Sequence, residues 1–242
     1  MIDVIPFQSL GIAKHGWLTA RHHFSFARYY NPARQGYPPL LVWNDDEIQA
    51  GTGFDMHPHD NMEIITYVRQ GAITHRDNLG NVGRTGAGDV QVMSAGTGVF
   101  HSEHNEESED TILFQIWIHT AQRDVTPRWE ARSFPKKTSN TLIPLVSGRE
   151  IHNDQDPLHI YQDAAVFAGV ISRGHSFTQL LELGRHAYMV VAEGSIEING
   201  YTVNARDGIY IKDEHEISIT ASSDAEIVFA DLPIVKHGHS HQ

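Results

Sequence analysis

Apolar and polar residues alternate with a period of two along much of the chain, in short runs separated by Gly, Asn and Asp. The run from Ser195 to Ile198 alternates in this way, and the Asn199-Gly200 pair after it suits the positive φ angles of a hairpin turn. The same alternation recurs between residues 209 and 229. Because helical periodicity is weak throughout, the pattern predicts an all-β protein.

A faint internal repeat indicates two copies of one β unit. The segment Gln70-Gly71-Ala72-Ile73 resembles Glu193-Gly194-Ser195-Ile196, and residues 88–92 resemble residues 207–211. The polar, proline-containing stretch from Ala121 to Asp156 is typical of a connector over the surface. We therefore expect two tandem domains, 1–135 and 136–242, each a β-barrel or jelly roll. The pattern alone leaves an immunoglobulin-like sandwich open.

Composition narrows the classes of function. The 242 residues carry a formal net charge of -12, which would repel phosphate backbones, so direct nucleic-acid binding is not expected. No apolar run is long enough to cross a membrane, and the first ten residues lack the features of a secretory signal. With no cysteine in the chain, a reducing compartment fits, and the expected location is the cytoplasm.

Two short motifs place metal-binding side chains at alternate positions. His57-Pro58-His59 precedes a strong strand pattern, and His101-Ser102-Glu103 repeats the spacing after a glycine-rich turn. Residues two apart in a strand face the same way, so each pair can reach one ion. Three imidazole nitrogens and one carboxylate oxygen suit Fe, Mn, Ni, Cu or Zn with positions left open for ligands. The alternative, that these are surface histidines, is weakened by the repetition of the pair.

The remaining sequence features are weaker candidates for metal binding. His237, His239 and His241 crowd into the last six positions and are expected to form a solvated tail. At the offset of the internal repeat, Leu180 and Glu182 stand in place of the first histidine pair. The second domain is therefore expected to hold no metal.

Two sets of residues look like the two motifs of the cupin superfamily. Gly51, His57, His59, Glu63 and Gly71 look like the first motif, and Gly98, His101 and Asn105 look like the second. A closer resemblance is carried by His15–Leu18, His23–Phe26, Tyr29-Tyr30, Asn44–Asp46, His57–His59 and Ser94–Gly98. In these segments the chain resembles the pirin family, and it is similar in character to the bacterial members described as quercetin 2,3-dioxygenases. The resemblance implies two cupin-like barrels (double-stranded β-helices), the first with the metal and the second without it.

Two departures from the general cupin pattern are shared with pirins. Gly96 stands where the second cupin motif has proline, and the spacing from Glu63 to Gly71 is one residue longer than usual. In many cupins the glutamate matching Glu63 binds the metal, and its parity with His59 allows this. The pirin resemblance instead assigns the carboxylate ligand to Glu103 and leaves Glu63 a contact behind the ligands.

The resemblance implies a metal-dependent dioxygenase that opens the central ring of flavonols such as quercetin with O2 and releases carbon monoxide. One divalent ion is expected, preferably Fe(II), with Zn, Mn, Ni, Cu or Co as alternatives. Its ligands would be His57, His59, His101 and Glu103, and Glu103 would also be the catalytic base. Phe54, Met56 and Phe100 flank these ligands and are expected to line the pocket, although alternation would equally let Met56 face the core.

Two other functions remain open. Some pirins are thought to be metal-loaded redox sensors that bind transcription factors, and the same ligands would serve that role. Another cupin reaction, such as isomerisation or a different ring cleavage, is the third possibility, because a fold does not fix its chemistry. The natural substrate, the native metal and the oligomeric state are not determined by the sequence, although a monomer is expected.

Overall fold

The structure, a computed structural model, describes residues 1–134 and 137–235, and nearly all of its regular secondary structure is β-strand. The tail with His237, His239 and His241 lies outside the described residues, as does the boundary expected between 135 and 136. Within the described ranges, no helix is long and apolar enough to span a bilayer. The all-β prediction is confirmed.

The first half of the chain forms twelve strands and one short 3-10 helix, Phe7–Ser9. The strands are β1 (Ile2–Ile5), β2 (Gly11–Lys14), β3 (Leu18–His22), β4 (Leu40–Ile48), β5 (Gly53–His59), β6 (Met62–Gln70), β7 (Ala72–Asp77), β8 (Val82–Gly86), β9 (Asp89–Ser94), β10 (Val99–His104), β11 (Thr111–His119) and β12 (Arg128–Ser133).

The second half adds ten strands and a second 3-10 helix, Glu150–Gln155. The strands are β13 (Ile143–Ser147), β14 (Leu158–His159), β15 (Ala165–Ile171), β16 (Ser176–Leu180), β17 (Arg185–Glu193), β18 (Ser195–Ile198), β19 (Tyr201–Asn204), β20 (Gly208–Lys212), β21 (Glu216–Ala221) and β22 (Ala225–Pro233). The predicted hairpin turn joins β18 to β19, and Asn199 and Gly200 both have positive φ.

The strands form two barrels, each made of one seven-stranded and one four-stranded sheet. In the N-terminal barrel the sheets run β12-β9-β6-β11-β4-β3-β2 and β5-β10-β7-β8. In the C-terminal barrel they run β1-β20-β17-β22-β15-β13-β14 and β16-β21-β18-β19. Two tandem barrels are therefore present, as the repeat predicts.

The two seven-stranded sheets share one apolar core. It joins side chains such as Trp43, Phe114 and Ile116 of the first sheet to Tyr188 and Val228 of the second. Because the other face of each sheet lines its own barrel, the central strands are buried on both faces. This explains why β17 is buried from Arg185 to Ala192 without alternation.

Two features depart from the expected organisation. The stretch from Ala121 to Asp156 is more than a connector, since β12 pairs with β9 and β13 pairs with β15. β12 is a half-buried edge strand, so its composition is as polar as that of a loop. In addition, β1 pairs with β20 of the C-terminal barrel, so the first residues of the chain lie in the second sheet.

The interiors of the barrels differ. Aliphatic side chains fill the C-terminal barrel, among them Ile196, Ile198, Ile209, Ile211 and Ile217. The N-terminal barrel instead contains a cavity of about 440 Å³. Histidine, carboxylate and amide side chains share its wall with aromatic rings.

Candidate metal centre

Three imidazoles meet at the wall of the N-terminal cavity. His57 and His59 lie on β5 and His101 on the neighbouring β10, where His101 pairs directly with His57. Among the described residues, this is the one group of at least three His, Cys, Asp or Glu side chains whose ligand atoms all lie within 4.8 Å of one another. The ring centroids of His57 and His101 are 4.5 Å apart.

Hydrogen bonds show which ring nitrogens are free. Nδ1 of His57 lies 2.7 Å from the carbonyl oxygen of Asp55, which can only accept, so Nδ1 carries the proton and Nε2 keeps its lone pair. Nε2 of His101 is buried and has no hydrogen-bond partner. A buried imidazole nitrogen without a partner is costly unless a ligand satisfies it.

The environment keeps two of the rings neutral. Burial, followed by the proximity of His57 and His75, lowers the pKa of His101 to about 3. Burial, followed by the proximity of His101 and His57, lowers the pKa of His59 to about 4. Metals bind the neutral ring, so the donor set fits a divalent ion such as Fe, Ni or Zn.

Glu103 lines the same cavity but stands outside the group of three imidazoles. Its Oε1 accepts a hydrogen bond of 2.6 Å from Nε2 of Gln91, and its Oε2 one of 2.7 Å from Nε2 of Gln115. Thr85 donates to Oε1 of Gln91, which orients that amide toward Glu103. These donors stabilise the carboxylate and hold it in place.

The side chains around Glu103 belong to a polar row across the inner face of the seven-stranded sheet. Neighbouring strands pair Gln91 with Thr66, Thr66 with Gln115, Gln115 with Asn44, and Asn44 with His22. All five residues are buried, and Nδ1 of His22 lies 2.8 Å from Oδ1 of Asn44. The motifs around His57 and His101 do not identify this row. A single polar residue inside an apolar strand, such as Gln91 or Gln115, is nevertheless a recognisable signal of a polar group in the barrel.

Asp46 and Trp117 also line the cavity. Oδ1 of Asp46 and Nε1 of Trp117 are buried without a hydrogen-bond partner. Burial, with the nearby Asp45 and Glu103, raises the pKa of Asp46 well above its usual value, which favours the protonated acid. The cavity wall therefore offers polar atoms that a bound ligand can satisfy.

Glu63 lies away from this centre. The turn at Asp60 and Asn61 moves the chain from the four-stranded to the seven-stranded sheet, so strand parity does not carry over from His59 to Glu63. Glu63 neither lines the cavity nor joins the imidazole group, and its Oε2 accepts a hydrogen bond of 2.7 Å from Ser94. Parity with His59 therefore gives no support to Glu63 as a ligand.

The expectation for the flanking residues holds in part. Phe54 lines the cavity, and its ring meets that of Trp17 edge to face at 5.1 Å. Met56 and Phe100 are 53% and 50% exposed and are not among the lining residues. They alternate with His57 and His101, so they face outward.

Known proteins resemble the chain over nearly its whole length. Residues 6–118 match the Pirin family model, and residues 146–232 match the model of the quercetinase C-terminal cupin domain. A pirin-like protein of Caulobacter vibrioides is 53% identical over 96% of this chain and 99% of its own length. The chain belongs to the pirin family.

Two findings from Escherichia coli bear on the site of this pirin. A protein named quercetin 2,3-dioxygenase from strain K12 is 40% identical over 97% of this chain and 100% of its own. The crystal structure of the bacterial pirin YhhW in complex with nickel(II) superimposes with a TM-score of 0.91, at 40% identity, and covers 97% of this chain and 100% of that one. The nickel complex and the imidazole group of this chain together support metal binding.

Proposed function

We propose that this pirin is a metal-dependent dioxygenase of the quercetin 2,3-dioxygenase type, opening the central ring of flavonols such as quercetin. The observation that carries the proposal is the convergence of three imidazoles on a cavity of about 440 Å³. Cavities of a few hundred Å³ with apolar walls and few polar groups are typical of small-molecule sites. The named activity of the 40% identical relative supports the same conclusion.

His57, His59, His101 and Glu103 would hold one divalent ion, for which we propose Fe(II), with Zn, Mn, Ni, Cu or Co as alternatives. When bound, the ion would supply a Lewis acid that acidifies an enolic hydroxyl and, as Fe(II), also a redox-active partner for dioxygen. Both atoms of dioxygen end in the ring-opened ester, and one ring carbon leaves as carbon monoxide. The reaction therefore needs no external reductant.

Glu103 is the proposed catalytic base. Its two oxygens accept hydrogen bonds from the side-chain amides of Gln91 and Gln115, which limit its movement. A carboxylate anchored at the cavity wall can take the proton of a substrate hydroxyl within hydrogen-bond reach.

The remaining wall suits a flat, hydroxylated aromatic molecule. Trp17, Phe26, Phe54 and Trp117 supply apolar rings, and the Phe26 and Trp117 rings meet edge to face at 5.4 Å. The protonated form of Asp46 can donate a hydrogen bond to a carbonyl or hydroxyl oxygen. We propose that the rings orient the substrate and that Asp46 anchors one of its oxygens.

The test is reconstitution of the purified protein with Fe(II), Mn, Ni, Cu or Co, followed by measurement of oxygen uptake and carbon monoxide release with quercetin. We expect uptake and release in equal amounts, and their loss in His57→Ala with the fold retained by circular dichroism. His119→Ala, at an exposed histidine, is the matched control. Failure of every metal to support oxygen uptake would overturn the proposal. Metal-dependent capture of a partner protein without turnover would favour the sensor function instead.

A further inference from the structure

Behind His101 lies a line of side chains that leads away from the cavity. Nδ1 of His101 is 3.4 Å from Nδ1 of His75, and Nε2 of His75 is 3.0 Å from Oδ2 of Asp77. His75 and Asp77 lie two residues apart on β7, which pairs with β10. His75 is fully buried, and its ring stacks on Trp129 at 4.8 Å and 8°.

Asp77 can only accept hydrogen bonds at its end of this line. Its Oδ1 accepts from the backbone N–H of Leu79 at 3.0 Å and of Asn81 at 2.9 Å. Its Oδ2 accepts from the side-chain amide of Asn81 at 2.8 Å. Surrounded by donors, the carboxylate stays an acceptor, so Nε2 of His75 must donate to it.

The direction of this hydrogen bond fixes the next one. A neutral imidazole carries one N–H, so with its proton on Nε2, His75 presents a bare Nδ1. His101 must then place its own proton on Nδ1 to donate to His75. That leaves the lone pair of His101 on Nε2, the buried atom without a partner.

We propose that Asp77 and His75 are positioning residues that set the tautomer of His101, so that its bare Nε2 faces the metal. The proposal rests on the metal site proposed above. Hydrogen bonds behind a metal-binding histidine orient the ring and raise its basicity, and losing them typically lowers metal affinity about 10- to 100-fold.

Asp77→Asn is the most informative variant, because it should reverse the direction of the two hydrogen bonds that join residue 77, His75 and His101 instead of removing them. The amide oxygen must stay with the two backbone N–H groups of Leu79 and Asn81, so the amide nitrogen takes the place of Oδ2. This nitrogen donates to Nε2 of His75, whose proton then moves to Nδ1. The side-chain amide of Asn81, which donates to Oδ2 in the wild type, turns over to present its oxygen to the new N–H group. His75 becomes the donor to Nδ1 of His101, and the His101 proton moves to Nε2, where it blocks the metal.

His75→Phe removes both hydrogen bonds without reversing their direction. The phenyl ring can keep the contact with Trp129, but Nδ1 of His101 loses its partner and neither tautomer is imposed. The loss of affinity should therefore be smaller than in Asp77→Asn. The metal affinity of the double variant His75→Phe/Asp77→Asn should match that of His75→Phe alone, since residue 77 then has no histidine ring to hydrogen-bond.

The experiment has one readout without metal and one with it. Long-range ¹H–¹⁵N NMR of metal-free protein labelled in histidine should show His101 protonated at Nδ1, and at Nε2 in Asp77→Asn. The affinity for Ni(II), measured by chelator competition, should fall about 10- to 100-fold in Asp77→Asn and less in His75→Phe. Arg76→Ala is the control, because Arg76 lies between the two residues on β7 and pairs with Glu106 at the surface.

The inference is overturned if His101 carries its proton on Nε2 in the wild-type metal-free protein, or if His75 is doubly protonated there. It is also overturned if Asp77→Asn folds like the wild type by thermal unfolding and keeps both tautomer and affinity. If the wild type did not bind Ni(II), the proposed metal site would be disproved instead. The NMR result would still decide the tautomer of His101. The two failures are therefore distinguishable.

Discussion

At the scale of single residues, the two glutamates Glu63 and Glu103 show what motif spacing can and cannot determine. Glu63 follows the pair His57 and His59, and Glu103 follows His101, each at a spacing compatible with metal binding. Glu103 lines the cavity with the imidazoles, whereas Glu63 faces the other side of its sheet and bonds Ser94. The sheet that each strand joins decides between them, and spacing along the chain does not contain that information.

This contrast gives a direct prediction for metal affinity. Glu103→Gln should weaken Ni(II) binding at least about tenfold, because a charged oxygen donor at the site is lost. Glu63→Gln, the isosteric counterpart, should stay within about twofold of the wild type, since it removes no group from the cavity. Titration calorimetry compares the two variants, and the opposite ranking would restore Glu63 as the ligand.

The imidazole group was predictable, and the residues behind it were not. Alternation within a strand suffices to pair His57 with His59, and the repeated spacing points to His101. His75, Gln91 and Gln115 reach the site only through the register of neighbouring strands. Register depends on contacts across the whole barrel, so a short motif cannot reveal them.

At the scale of elements, the turn before β10 shows why glycine replaces the proline of the general cupin motif. Gly96 has φ +46°, which proline cannot adopt, and a Cβ there would overlap the carbonyl oxygen of Val125. The turn is also tied to the neighbouring Asn61, whose N–H donates to the Gly96 carbonyl at 2.9 Å. Its conformation therefore sets the start of the strand that carries His101.

We predict that Gly96→Ala destabilises the protein more than Gly51→Ala. Gly51 also has a positive φ, of +71°, but a Cβ there meets nothing within 4 Å, so only the backbone cost of about 1–2 kcal/mol applies. At Gly96 the overlap with backbone should add about 1–3 kcal/mol. Chemical denaturation measures both, and equal losses would show that the Val125 contact relaxes freely.

β1 is the element that the repeat could not locate, because its four residues precede the repeated units. Its pairing with β20 buries Ile2 and Ile5 at the C-terminal barrel. Ile2→Ala should cost about 1–3 kcal/mol of unfolding free energy, through lost burial at a sheet edge. Asp3→Ala, at the exposed position between them, should change it by less than about 0.5 kcal/mol. If the two variants are equally stable, β1 contributes nothing to the barrel.

At the scale of the whole molecule, the internal repeat and the alternation of apolar residues predict two barrels, and the structure contains them. The packing of the two large sheets on each other could not be read from alternation, because strands buried on both faces lose the period of two. Polar residues lie inside this interface, including His23, whose Nδ1 is 2.8 Å from the Tyr188 hydroxyl.

His23 should make the stability of the molecule sensitive to acid. Burial, followed by the charges of Arg34 and Arg206, lowers the pKa of His23 from its usual 6.5 to about 3. The unfolded chain therefore binds a proton that the folded chain does not, and stability falls as the pH drops from 6.5 toward 3. This contribution is fully present above pH 6.5.

The variant His23→Phe removes this titration. At neutral pH it should be less stable by about 1–3 kcal/mol, because the Tyr188 hydroxyl loses its partner. As the pH falls from 6.5 toward 3, the difference from the wild type should shrink or change sign. Denaturant unfolding at several pH values measures it, with His119→Ala as the exposed control. If the free energies of unfolding of the wild type and His23→Phe changed in parallel with pH, the lowered pKa of His23 would be contradicted.

The account depends on one ion bound between β5 and β10 in the N-terminal barrel. Anomalous diffraction from crystals grown with Ni(II) tests this most directly. We predict one strong peak per chain, within bonding distance of His57, His59, His101 and an oxygen of Glu103. A peak beside Glu63 or in the C-terminal barrel, or none at the imidazole group, would contradict it.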